Sequence, residues 1–199
     1  MTEPSYDESI VEAELRARAA YAQPGRHYHD ERHLDDCLRQ LEDSHPLEES
    51  ERRLLRWAIL WHDAIYDPGL PGNEEQSAEL AQRELAACGV AYADAAEVAR
   101  LIRLTETHRA PPGDPLAALL ISIDLSILGS DPGRYREYAE DVRKEYAHVP
   151  EPLWQTGRTA VLERLLDANP LFPDERFQHE FGEQARHNMT AEIRLLSGG

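Results

Sequence analysis

The sequence predicts an all-α protein. Prolines recur about once per predicted helix, and between them the apolar residues follow a period of 3.6 without sustained alternation. The segment 114–128 is apolar nearly all round, as expected for a central buried helix. Proline ends helices and alternation marks strands, so these features together indicate a bundle of about eight or nine helices.

Each helix is predicted from the spacing of its apolar residues and from the residues that start or end it. Boundaries of this kind are expected to hold to within about two to four residues. The predicted helices are 6–22, 29–43, 48–65, 74–88, 92–108, 114–128, 132–146, 152–167 and 176–196. The stretches 66–73 and 109–114, rich in Pro and Gly, are the predicted irregular connections.

Length and composition restrict the class of protein. The 199 residues fit a single domain, 1–199, in which 1–5 are expected to form a disordered tail. A net charge of −17 with scattered Lys and Arg argues against a nucleic-acid polymer as partner. Without an apolar leader or a run of eighteen apolar residues, we expect neither secretion nor a membrane partner. Two distant cysteines favour a reduced, cytoplasmic protein.

A helical face in the segment 48–65 carries a histidine next to an aspartate. Leu54, Ala58 and Ile65 fall on the same face as His62, and Asp63 follows directly. An unpaired charge in such a place is costly, and one metal cation could satisfy both side chains. The alternative is a core histidine with its hydrogen bonds satisfied, beside an aspartate of the helix end.

Two histidines lie one helical turn apart in the segment 29–43. His29 precedes His33, and His33 precedes Cys37 on the apolar stripe of that helix. A histidine pair at this spacing is a candidate metal or phosphate feature. His33, one turn deeper, is the better ligand, whereas His29 could simply face solvent.

The start of the 74–88 helix has a structural and a functional interpretation. Asn73 as N-cap, with Gln76 three residues later, predicts a capping box in which Glu74 complements the positive helix end. In the alternative, Glu74 faces the same cavity as His62 and Asp63 and handles a proton or a water.

Two further polar residues interrupt apolar stripes. His108 continues the stripe of the 92–108 helix into its last turn, where it could complement the helix dipole or project into a pocket. Asp124 lies in the middle of the apolar segment 114–128, with no Arg or Lys within one turn. A buried carboxylate without a local partner needs a distant one, and a shared metal is the simplest candidate.

The second half of the chain shows mainly packing patterns. Tyr135 and Tyr138 are expected at the edge of the core. Arg143, Lys144 and Arg158 are expected to be solvated or paired with the abundant acids.

The order His33, His62-Asp63, Asp124 over three predicted helices resembles the HD superfamily of metal-dependent phosphohydrolases. Within it, the chain is most similar to a bacterial group of predicted HD-type phosphohydrolases. Ser122 stands where this group tends to have the first acid of Asp-x-Asp-Leu, which leaves the second acid in place. The matching segments are 25–33, 61–67, 73–78, 124–129, 143–146 and 185–188.

The resemblance implies an HD-domain-like helical bundle that holds a divalent metal through four side chains and hydrolyses a small phosphate ester, for example a nucleotide. A mixed N/O site suits Mn²⁺, Fe²⁺, Co²⁺, Ni²⁺ or Zn²⁺, with Mg²⁺ as a further option. Water on such a cation becomes a hydroxide that can attack phosphorus. The metal ligands are His33, His62, Asp63 and Asp124; the candidates for proton transfer are Asp67 and Glu74; the candidates for substrate binding are Arg26, Tyr28, His29 and His108.

A single metal is the better prediction. HD proteins that bind two metals look as though they need extra histidines between the His-Asp pair and the last aspartate. In this chain that interval contains only His108. Asn73 or Glu74 could still complete a second site. Whether the substrate is a monoester or a diester, and whether the protein is a monomer or a homodimer, is left open by the sequence.

Two other functions compete with hydrolysis. One is a module that binds a metal or a nucleotide as a sensor without turnover, which the complete ligand set disfavours. The other is an HD-type di-iron oxygenase, which the shortage of histidines disfavours. A purely structural helical scaffold ranks last because it would leave Asp124 unexplained.

Overall fold

The computed structural model describes residues 6–198, and the predicted tail, 1–5, lies outside them. Those residues form nine α-helices and one 3-10 helix and contain no strand, which confirms the all-α prediction. The helices are α1 Tyr6–Ala20, α2 Glu31–Glu42, α3 Glu49–Trp61, α4 Asn73–Ala87, α5 Tyr92–Thr105, α6 Pro115–Asp124, α7 Pro132–Glu145, α8 Glu151–Leu166 and α9 Glu175–Leu196, with the 3-10 helix Leu125–Gly129 between α6 and α7.

Prolines and aspartates set several helix starts. The side chain of Asp114 caps α6 and is followed by Pro115, and Asp131 caps α7 and is followed by Pro132. Proline suits the first helical position because its missing N–H would have no partner there, and its φ is already helical. The punctuation in the sequence therefore marks the observed helix starts well.

Two predictions about the region around the His-Asp pair are corrected. Helix α3 ends at Trp61, so His62 is its C-cap residue instead of lying inside a helix that runs to 65. Helix α4 has Gly72 as its N-cap, in a left-handed conformation with φ of 82°. The side chain of Asn73 is used in the preceding loop, where it bonds to the backbone N–H and C=O of Asp67. The predicted Asn73 capping box is therefore wrong.

The environment of Asp124 also differs from the prediction. Asp124 is the last residue of α6, because the helix tightens into the 3-10 form at Leu125, and it is half-buried, whereas the sequence predicts a buried position in mid-helix. Burial raises the pKa of Tyr138 above its ordinary value, and the charge of Asp124 contributes to the same rise. Ser122, two residues earlier, is fully buried and accepts a hydrogen bond from the backbone N–H of Asp174.

The described chain divides into two compact units, with the first ending at Arg109 and the second beginning at Ala110. In the first unit α3 is central and contacts α1, α2, α4 and α5. Its buried side chains include Leu55, Trp57 and Trp61. In the second unit α9 contacts α6, α8 and the 3-10 helix, and the Gly129 backbone lies directly against Phe181. The prediction of a single domain stays a prediction.

A buried ion pair crosses the second unit. The Arg158 guanidinium donates from Nε to Oε1 of Glu192 at 2.8 Å and from Nη2 to Oε2 at 3.1 Å. Tyr135 donates its hydroxyl to Oε2 of Glu192 at 2.5 Å, and the guanidinium lies over the ring of Tyr138. Arg158 is therefore paired with an acid, which is one of the two predicted outcomes, and it is buried rather than solvated.

Within residues 6–198, no single helix is long and apolar enough to cross a membrane. By length and composition alone, the segments Pro115–Gly129 and Pro132–Glu145 would satisfy the test together, with a bend of 104° between them.

Candidate metal centre

Three ligand atoms of the first unit converge at the end of α3. His33 Nε2 lies 3.1 Å from His62 Nε2, and His62 Nε2 lies 3.1 Å from Oδ2 of Asp63. The third side of this triangle, from His33 Nε2 to Asp63 Oδ2, is 3.7 Å. Both histidines are buried, and the Asp63 side chain is 14% exposed. We call these three side chains the His33–His62–Asp63 cluster.

His33 lies in the first turn of α2, which begins at Glu31. The Asp30 carboxylate accepts hydrogen bonds from the backbone N–H groups of Arg32 and His33. This cap fixes the first turn of α2 and satisfies donors that the helix itself cannot. The imidazole of His33 therefore projects from a well-defined turn, with Cys37 Sγ one turn later and 3.8 Å from its ring nitrogens.

His62 presents a defined ring nitrogen to the cluster. Its Nδ1 lies 2.8 Å from the backbone carbonyl of Ile59, so we assign the Nδ1–H tautomer, which donates to that oxygen. In the neutral ring the other nitrogen, Nε2, then carries a lone pair. A metal-binding histidine is usually oriented in this way, by a hydrogen bond from its second nitrogen.

The charges in the cluster favour an ionised carboxylate. Burial by itself raises the pKa of Asp63, but the charge of His62 and its hydrogen bond lower it more, with smaller contributions from His29 and His33. The net effect holds the pKa of the Asp63 carboxyl well below its ordinary value. Asp63 therefore offers a negative oxygen to whatever lies between the two imidazoles.

The three atoms have the spacing that a small cation requires. A protonated His62 can place its Nε2–H between its ring and the ionised Asp63 Oδ2, but when His62 is neutral both atoms carry lone pairs, and lone-pair atoms this close repel one another unless a cation lies between them. The smallest sphere through all three atoms has a radius of about 1.9 Å, and Zn²⁺–N and Zn²⁺–O bonds measure roughly 2.0–2.2 Å. One divalent ion could therefore contact all three atoms without a rearrangement of the cluster.

The segment that follows Asp63 is held in place by α4. The buried hydroxyl of Ser77 accepts a hydrogen bond from the Ile65 N–H at 3.0 Å and donates one to the Ile65 carbonyl at 3.2 Å. The backbone N–H and C=O of Ile65 are thereby both satisfied by the side chain of Ser77. Ser77 is on the buried stripe of α4 with Ala81 and Leu85. A polar residue at helical spacing within an apolar stripe is the sequence signal that could have predicted a buried, hydrogen-bonded Ser77.

The predicted substrate-binding residues of the segment 25–33 surround the cluster. The ring of Tyr28 is 4.8 Å from that of His33, and the ring of His29 is 5.8 Å from it. His29 also stacks on Tyr66 at 4.2 Å, and both are half-buried. Arg26 is engaged with backbone, because its Nη1 donates to the carbonyls of His29 and Asp63. Their roles toward a substrate stay predictions.

The other predicted site residues are Asp67, Glu74, His108 and Asp124. Asp67 is exposed, and its Oδ1 accepts a hydrogen bond from the backbone N–H of Gly69. Glu74 is half-buried in the first turn of α4. His108 follows α5 with a left-handed φ of 52°, and Asp124 belongs to the second unit. The structure thus brings His33, His62 and Asp63 together, and the roles of the other four stay predictions.

Besides Ser77, a second residue beside the cluster was not predicted from the sequence. Tyr21, the first residue after α1, is 1% exposed, and its hydroxyl contacts the backbone of Ile59 and Asp63. In the sequence, Tyr21 does not belong to the segment 48–65 that carries His62 and Asp63, and it is twelve residues before His33. Spacing therefore carried no signal for its contact with the cluster.

Comparison of the chain with protein-family models, with curated proteins and with solved structures gave no match. What the cluster can do chemically therefore has to follow from its own side chains. Two imidazoles and a carboxylate with this spacing are suited to hold a divalent cation and to leave part of its coordination sphere for water or substrate.

Proposed function

We propose that this protein is a metal-dependent phosphohydrolase that acts on a small phosphate ester such as a nucleotide. The observation that carries the proposal is the His33–His62–Asp63 cluster, with sides of 3.1, 3.1 and 3.7 Å. Its residue types and their chain order are those of the HD-type resemblance. That resemblance adds Asp124 as a fourth ligand, and Asp124→Asn tests this addition separately.

His33, His62 and Asp63 would hold a divalent cation, which would supply an acidified water as the nucleophile and neutralise charge that develops on the phosphoryl oxygens. The chain supplies the rest. His62 and Asp63 keep their ligand atoms directed inward, and Tyr28 and His29 border the same region. Asp67 and Glu74 are the candidates for moving a proton to the leaving group or from the attacking water.

The proposal favours a single metal. Asn73 was one candidate for completing a second site, but its amide already bonds to Asp67 and Leu70 in the loop before α4.

The net charge of −17 would repel an anionic substrate, so a local cation is needed to bind one. A metal in the cluster would supply this positive charge. The guanidinium of Arg26 is less suited to do so, because it already donates to the backbone carbonyls of Asp63 and Ala64.

The test is phosphate release from nucleotides and sugar phosphates with added Mn²⁺, Co²⁺ or Ni²⁺, together with p-nitrophenyl phosphate and its bis ester to separate monoesterase from diesterase activity. We expect turnover by the wild-type protein, none by His62→Ala, and normal turnover by His179→Ala, a matched variant at an exposed position of α9.

Absence of turnover on the whole panel, with metal demonstrably bound, would contradict the proposal and favour a sensor that binds without hydrolysis. About two irons per chain together with oxygen consumption would favour a di-iron oxygenase instead. Activity that persists in His62→Ala would show that the phosphate release comes from another protein in the preparation.

A further inference from the structure

The Tyr21 hydroxyl occupies the centre of a hydrogen-bond network behind the metal-facing side of the cluster. It accepts a hydrogen bond from the Asp63 N–H at 3.2 Å and lies 3.3 Å from the Ile59 carbonyl, to which it donates. His62 Nδ1 donates to the same carbonyl at 2.8 Å and is 3.3 Å from the hydroxyl. In this arrangement every donor in the network has an acceptor.

This network has a direct consequence for the two ligands. With the Ile59 carbonyl receiving two donors, the proton of a neutral His62 stays on Nδ1, and Nε2 keeps its lone pair for a metal. The bond from the Asp63 N–H fixes the peptide that joins His62 to Asp63. Tyr21 therefore acts on both ligands through groups that do not touch the metal position.

Arg26 holds the same residue from its other end. Its Nη1 donates to the Asp63 carbonyl at 2.7 Å, and its Nη2 donates to the Ala64 carbonyl at 3.2 Å. The guanidinium lies over the ring of Tyr21 at 5.2 Å and that of Tyr66 at 5.4 Å. Asp63 is thus fixed at its N–H by Tyr21 and at its C=O by Arg26.

We propose that Tyr21 and Arg26 are positioning residues for the metal centre, which fix the backbone of Asp63 and the ring of His62 and thereby set the affinity for the cation. This inference rests on the proposed function, because it assumes that the cluster binds metal. It gives Arg26 a role that differs from the substrate contact predicted from the sequence. It also explains why two buried polar side chains converge on one short segment of backbone.

The experiment is titration of the metal-free full-length protein with Co²⁺, followed by the visible absorption of the bound ion and by calorimetry. The main variant is Tyr21→Phe, which removes only the hydroxyl and keeps the ring beneath Arg26. The matched control is Tyr135→Phe, which removes an equally buried hydroxyl that donates to Glu192 in the second unit. Arg26→Lys and Arg26→Met form a second pair, because lysine keeps the charge but loses the fork of donors.

We expect Tyr21→Phe to weaken Co²⁺ binding by about 10–100-fold and to change the absorption spectrum, as loss of a group behind a metal ligand usually does. Tyr135→Phe should bind Co²⁺ as the wild type does. Arg26→Lys should bind more tightly than Arg26→Met. Circular dichroism tests whether each variant is folded. If Tyr21→Phe does not fold, the comparison of Arg26→Lys with Arg26→Met tests the positioning role instead.

Wild-type affinity and an unchanged spectrum in Tyr21→Phe would overturn the positioning role while leaving the metal site intact. Equal weakening by both variants would overturn it as well, since the effect would then be one of general stability. Failure of the wild-type protein to bind Co²⁺ at all would instead overturn the proposed metal site, and the inference with it.

Discussion

His33 Nε2 and His62 Nε2 face each other at 3.1 Å in the interior of the first unit, with the carboxylate of Asp63 beside them. A proton can bridge only one pair of these atoms at a time, whereas a divalent cation can satisfy all three. The arrangement costs stability when nothing positive lies between the atoms, and a bound cation removes that cost.

Metal should therefore stabilise the fold. A ligand that binds only the native state stabilises it by about 2.7 kcal/mol when its concentration is about 100 times the Kd. We expect Mn²⁺, Co²⁺ or Zn²⁺ to raise the melting temperature of the wild-type protein and of His179→Ala, measured by calorimetry. His33→Ala and His62→Ala should show no such rise. A rise of the same size in His62→Ala would place the bound metal somewhere else.

Ser77→Ala should destabilise the first unit. The substitution leaves both backbone groups of Ile65 without the hydroxyl that satisfies them, which costs about 1–3 kcal/mol for a buried group. Urea denaturation measures the loss. Ser197→Ala at the exposed C-cap of α9 is the control and should change the free energy of unfolding by less than about 0.5 kcal/mol. Similar losses in both variants would contradict the role given to Ser77.

The pair Arg158 and Glu192 should show strong coupling. Glu192→Leu leaves a buried guanidinium without its carboxylate, which we expect to cost about 3–5 kcal/mol in the free energy of unfolding. Adding Arg158→Met to that variant should recover much of the loss, because two apolar side chains then replace two buried charges. A double-mutant cycle by urea denaturation measures the coupling, and additive effects would contradict it.

Stability should fall at alkaline pH because of two buried tyrosines. Burial raises the pKa of Tyr135, with further contributions from Tyr138 and Glu192, and burial likewise raises the pKa of Tyr138. The unfolded chain then loses these protons first, from about pH 10, so native stability is complete below that pH and declines above it. Each group contributes up to about 1.4 kcal/mol per pH unit. Urea unfolding between pH 8 and 11 should show a shallower decline for Tyr135→Phe, and an identical decline would contradict this origin.

The sequence was sufficient for the helices because their ends carry local signals. Pro115 and Pro132 follow capping aspartates, and apolar stripes of period 3.6 cover the segments between. The sequence was less informative where contacts with neighbouring elements determine the end of a helix. Helices α3 and α6 end at Trp61 and Asp124, four residues before the predicted boundaries. Periodicity indicates the face on which a residue lies, and a tightening of the last turn leaves that pattern unchanged.

For the site, the residue types and chain order indicated His33, His62 and Asp63, and the structure brings their ligand atoms together. The hydroxyl of Tyr21 and the fork of Arg26 could not be assigned from the sequence. They act on backbone groups about forty residues away in the chain, and no side-chain pattern records such a contact. The identity of the acid that pairs with Arg158 escaped prediction for the same reason, since Glu192 lies 34 residues away in the chain.

The central claim is that the three converging atoms bind one divalent cation, and anomalous scattering tests it most directly. Crystals grown with Mn²⁺ or Zn²⁺ and measured at the absorption edge of that metal should show one strong peak about 2.0–2.2 Å from His33 Nε2, His62 Nε2 and Asp63 Oδ2. Crystals with no anomalous peak at that position, or with the peak at other side chains and the His33–His62–Asp63 cluster unchanged, would contradict it.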